Sequence, residues 1–70
     1  MNGTTQRKWS IEHVSRIPQH FYTERVPGEQ WTQDRVLAKG FDSAEKAKMF
    51  AEENLRGMPV KFAENPSTRD

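Results

Sequence analysis

The stretch FDSAEKAKMFAEENLRGMP, residues 41–59, constrains this chain most, because it carries the clearest helical signal in the 70 residues. At 100° per residue Ala44, Ala47, Phe50, Ala51 and Leu55 fall on one arc, and Lys46, Lys48, Met49, Glu52 and Glu53 fall outside it. That is the pattern of a helix of about three to four turns with one buried stripe. Asp42, three residues before Glu45, has the reciprocal spacing of a capping box and is the predicted N-cap. Gly57 stands where a left-handed C-terminal glycine belongs, and Pro59 cannot continue a helix. The helix is therefore expected to stop near Arg56. Three alanines on its inner face allow close approach to a sheet.

The flanking segments supply that sheet. In residues 8–15 Trp9, Ile11 and His13 alternate with Ser10, Glu12 and Val14, the period of a strand with one face inward. Pro18 lacks an amide donor and pushes Ile17 toward extended backbone, so residues 16–19 read as a connection. FYTERV, residues 21–26, is rich in aromatic and β-branched residues and reads as a second strand, ended by the turn dipeptide Pro27-Gly28. Residues 31–41 read as a third strand, and Val60-Lys61-Phe62 as a short last one. The predicted class is α+β, in the order β-β-β-α-β: an antiparallel three- to four-stranded sheet with one helix on one face. Residues 1–7 are expected to be a flexible N-terminal tail, 8–63 a single domain, and 64–70 a flexible C-terminal tail.

Such a domain has little core. Only 33% of the residues are hydrophobic, and a core of this size supplies about 3–5 kcal/mol. The predicted core is Trp9, Ile11, Phe21, Tyr22, Val36, Leu37, Phe41, Phe50, Leu55, Val60 and Phe62. The absence of cysteine removes disulfides, thiolate nucleophiles and cysteine zinc sites, and with them the small stapled secreted scaffolds, so a cytoplasmic location is expected. MNGTTQRK has no apolar run after its charges, and no segment approaches the roughly 18 apolar residues of a spanning helix, so neither leader nor membrane partner is predicted.

The residues offer little for catalysis. His13 and His20 are the side chains that ordinarily titrate near neutrality, and a hairpin would bring them close across its turn. With Glu12 or Glu24 they could form a metal site, but no tight ligand spacing such as HExxH is present. Partly exposed strand histidines are the better reading. His20 and Glu24 would lie about 13 Å apart along a strand, too far for one to orient the other. The four glycines are scattered and make no phosphate-cradling loop. The chain is therefore read as a non-enzyme with no metal, no cofactor and no small-molecule substrate.

Recognition is the remaining class. Eleven Lys and Arg against ten Asp and Glu leave a net charge of +1, too little to drive nonspecific adhesion to nucleic acid. Residues 1–39 are weakly positive, with six basic against four acidic side chains. If the helix covers one sheet face, the other is expected to be exposed, carrying aromatic and arginine side chains that stack on bases or bury into a protein. The candidate partner-binding residues are Arg7, Lys8, Arg16, Tyr22, Arg25, Trp31 and Arg35. Phe21 and Tyr22, adjacent on a strand, must point to opposite faces, so one is assigned to the core and Tyr22 is the candidate for contact. Met49 on the polar side of the helix and Met58 at its exit could add an apolar contact.

Two resemblances extend this reading. KWSIEHV, then FYTERV, then LAKGFDSAEKAKMFAEE resembles the three strands and helix of the arm-binding domains of phage integrases, over residues 8–54. Those domains place a three-stranded sheet in a DNA major groove, which implies a sheet-based DNA-binding module. FDSAEKAKMFAEENLRGMPVKF, the second half of the chain, resembles the strand, helix, glycine, strand layout of small phage proteins that bind and inhibit host RNA polymerase. That resemblance implies a phage-type regulator that inhibits a host complex, in transcription or defence, by occluding a surface. It is the leading expectation, with DNA binding as the alternative.

Overall fold

A computed structural model describes residues 8–68. The four-stranded antiparallel sheet comprises β1 (Trp9–His13), β2 (His20–Tyr22), β3 (Trp31–Thr32) and β4 (Val60–Glu64), in the spatial order β3-β2-β1-β4. A 3₁₀ turn, Arg35–Leu37, and the helix α1, Ala44–Asn54, lie between β3 and β4. The α+β class and the single covering helix follow the sequence. No helix among the described residues is long and apolar enough to cross a membrane.

The strand registers set the core. They align Trp31, Tyr22, Ile11 and Phe62 in one row across the sheet, on the face that meets α1. The helix answers with Ala47, Ala51 and Leu55, all buried, and with half-buried Phe50, while Phe41 closes the cluster from the segment before it. Alanine at 47 and 51 removes side-chain bulk where the helix crosses the row, which is why the aromatic residues fit beneath it.

Several boundaries differ from the sequence reading, each for a physical reason. The third strand is two residues long, because Asp34 accepts from the Val36 N–H at 3.0 Å and turns the chain into the 3₁₀ segment. The second strand ends at Tyr22, and just beyond it Thr23 N donates to Gln30 O at 2.9 Å, ahead of β3. Asp42 is not the helix cap. Ser43 has extended backbone, and its hydroxyl accepts from the Lys46 N–H at 3.1 Å. Asp42 instead pairs with Lys8 at 2.6 Å and Lys46 at 3.4 Å.

The turn signals hold. Glu29 N donates to Val26 O at 3.0 Å across Pro27-Gly28, with Gly28 at φ 80°, and Gly57 ends the helix at φ 81°. The C-terminal boundary moves outward: Glu64 belongs to β4, Asn65 is buried, and the Thr68 hydroxyl bonds Ala38 O. Residues 64–68 are thus part of the domain, and the predicted tail at 1–7 lies outside the described residues.

The cap assignment has a direct check. Ser43→Ala is expected to lower the unfolding free energy by about 1 kcal/mol in urea titrations. An unchanged unfolding free energy in Ser43→Ala would overturn the assignment.

Candidate binding surface

The face of the sheet opposite α1 is closed, not exposed. Ser10, Glu12, Phe21 and Thr23 lie on it and are all buried. Their cover is the segment that follows β3. The Arg35 guanidinium lies 5.4 Å from the Phe21 ring centre and donates to Gln19 Oε1 at 3.2 Å, and Gln19 donates in turn to Glu12 Oε1 at 2.5 Å. Thr23 Oγ1 donates to Leu37 O at 2.6 Å, and Asn65 Nδ2 to Arg35 O at 3.0 Å. The Glu12 carboxylate, which would be costly to bury alone, thus has an amide donor, and Lys61 Nζ approaches it at 3.8 Å.

Closure of both faces removes the aromatic candidates from the surface. Phe21 faces the back and Tyr22 the helix, opposite sides as expected, yet Tyr22 is only 9% exposed and Trp31 only 7%. Both belong to an aromatic cluster. Trp31 meets His13 edge-on at 4.9 Å and Tyr22 at 6.0 Å, and Tyr22 meets Phe50 at 5.1 Å. The Tyr22 hydroxyl donates to Glu24 at 3.0 Å, and Lys39 pairs with Glu24 at 3.1 Å over the Phe41 ring.

The basic candidates are dispersed. Lys8 is held by Asp42, whose carboxyl that bond and charge, seconded by Lys46, keep below its ordinary value. Arg35 is engaged in the back cover, Arg25 stands exposed near the β2–β3 turn, and Arg16 is exposed in the β1–β2 loop. Arg7 lies outside the described residues. These residues form no common surface. The histidines do meet, as Cα partners across β1 and β2. His13 Nδ1 accepts from Ser15 N, and His20 Nδ1 donates to Pro18 O, so each ring is tied to its own loop. Among the described residues no group of three or more metal-ligating side chains occurs.

A different surface stands out at one end of the sheet. Ile17 is 94% exposed, Val14 54% and Met58 39%. Val14 and Ile17 lie in the β1–β2 loop and Met58 at the helix exit, and the bond from Val14 N to Pro59 O at 2.8 Å joins the two connections. Behind Met58 runs an open groove of about 570 Å³ between α1 and β4, floored by Ala51, Leu55, Val60 and Phe62 and rimmed by Lys48, Glu52 and Arg56. Sequence reasoning by residue type passed over Ile17 and Val14. The available signal was an isoleucine beside a proline in a polar connection, where no core position exists for it. Met58 was visible as an apolar residue beyond the helix stop.

Compared with protein-family models, with curated proteins and with solved structures, the chain matches none. The surface therefore rests on its own geometry.

The closed aromatic face makes a spectroscopic prediction. Burial, then the hydrogen bond to Glu24 and the charge of that carboxylate, push the Tyr22 phenol from 10.0 up to about 12. A raised phenol stabilises the fold fully below its unfolded value of 10.0, and that contribution is lost as pH rises through about 12. Tyr22 is the sole tyrosine, so phenolate absorbance should show one transition near 12 in the folded protein and near 10.0 in denaturant. A folded-state transition at the ordinary value would mean that the ring is open to solvent.

Proposed function

We propose that the chain is a small non-enzymatic binding protein that docks on a host macromolecular complex, of the transcription or defence kind, and inhibits it by occluding a surface. The observation that supports this reading is the exposed apolar end. In a domain so short of hydrophobic residues, three of the four large hydrophobic side chains left exposed among the described residues, Val14, Ile17 and Met58, sit on two connections joined by a backbone bond. Exposed apolar area gathered in this way is a feature of interaction sites, whereas single exposed apolar residues are ordinary. The neighbouring Arg16 adds a residue type enriched, with Trp and Tyr, among interface anchors. The choice of a host complex as target follows the resemblance to small phage inhibitors of RNA polymerase.

The contact surface differs from the one read from sequence. An aromatic and basic sheet face would suit a DNA groove, but here α1 covers one face and residues 33–38 cover the other. The DNA-binding alternative thus draws no support from the geometry, and the protein-binding reading is preferred.

A paired capture experiment tests this. Wild-type protein immobilised through its C-terminus is expected to retain a stoichiometric partner from bacterial lysate, and Ile17→Asp to weaken that capture by about tenfold or more. Ile17 is almost wholly exposed, so the variant should keep the wild-type circular dichroism spectrum. Undiminished capture by Ile17→Asp, or no stoichiometric partner for wild type, would defeat the proposal.

A further inference from the structure

We infer that the open edge of β4 takes up an extended, acidic and apolar segment of the partner as a fifth strand, with apolar side chains of that segment entering the groove beside α1. This rests on the protein-binding reading above and specifies its mode.

β4 is the last strand in the sheet order, with β1 on one side only. The bonds from Val14 N to Pro59 O and from Asn65 N to Lys8 O bracket the β1–β4 ladder, so the backbone groups of Lys61 and Ala63 turn toward β1. By the alternation of an antiparallel ladder, the N–H and C=O groups of Val60 and Phe62 turn outward. No described residue pairs with them. The outward groups of Val60 and Phe62 on this five-residue strand are a template for another backbone in extended form.

The side chains narrow the occupant. A strand laid along β4 has every second side chain on the α1 side, over the floor of Ala51, Leu55, Val60 and Phe62, which selects apolar residues at those positions. Lys48 and Arg56 stand on the rim, and neither has an acidic partner among the described residues. Glu52 lies between them, leaving the rim one positive charge in excess. On the other side of the same edge Lys61 is exposed, with Glu12 no nearer than 3.8 Å. Carboxylates on the incoming segment would meet cations on both sides of the edge. A second copy of this chain would instead oppose two like edges, each with the three cations Lys48, Arg56 and Lys61 against the two carboxylates Glu52 and Glu64.

The test uses a fluorescein-labelled short peptide in which aspartate alternates with valine and leucine, titrated by anisotropy with the full chain. Saturable binding is expected, weakened by about tenfold or more when lysine replaces aspartate and abolished when the backbone nitrogens facing β4 are methylated. Val60→Pro removes one outward donor without touching a bond to β1, and should lose the peptide. Val60→Thr, which keeps the donor and the shape, should retain it, with circular dichroism confirming the fold of both. Absence of saturable binding, equal binding of the methylated peptide, or equal binding by Val60→Pro overturns the inference. So does a dimer in sedimentation that Val60→Pro dissolves, because it would assign the edge to a second copy. If Ile17→Asp releases the captured partner while Val60→Pro does not, the strand-addition mode fails and the binding reading stands. If Ile17→Asp changes nothing, the broader reading fails on its own terms.

Discussion

Three hydrogen bonds from side chains to main-chain carbonyls hold the back of this protein closed. Thr23, Asn65 and Thr68 donate to the carbonyls of Leu37, Arg35 and Ala38. Among the described residues only the Arg35 carbonyl of these three has a main-chain donor, Ala38 N at 3.4 Å, and a main-chain acceptor pressed against a core must find a donor. With those bonds made, residues 33–38 lie over Phe21 and shut the second face of the sheet. What the molecule leaves accessible follows from this. Once both faces are taken, the connections and the sheet edges are what remain.

The local features were legible in the sequence because local physics determines them. The alternation of β1, the Pro27-Gly28 turn, the alanine-rich helix and its glycine stop each depend on residues within a few positions of one another. The short third strand was not legible: Trp31 fits a strand and a core equally well, and the carboxylate of Asp34 that ends the strand signals a turn only weakly. Choosing Ser43 over Asp42 as cap was beyond the local pattern as well. Both are good capping residues, and what separates them is Lys8, thirty-four positions away, which holds Asp42.

The candidate surface was harder still. Alternation correctly sent Phe21 and Tyr22 to opposite faces, but it carries no information about a cover built from polar residues and main-chain bonds. Lys8, Tyr22, Trp31 and Arg35 were chosen because their residue types recur at interfaces, and in this fold those four have structural work to do. Ile17 and Val14 escaped notice for the opposite reason. An apolar residue in a connection looks like noise until the fold places the β1–β2 loop beside the helix exit, where Met58 is exposed as well.

The bonds from Asn65 and Thr68 also bear on where the chain could be cut or joined. By sequence, NPST looks like a dispensable run after the last strand. In the fold it supplies two of the three donors that hold the cover in place, and Asn65 is almost wholly buried. A protein shortened before position 65 would keep every strand and the helix, yet lose the latch over Phe21. It would present to solvent a sheet face that the described domain keeps hidden, and with it exposed apolar area prone to nonspecific contact. The polar C-terminal segment thus keeps that face out of solvent.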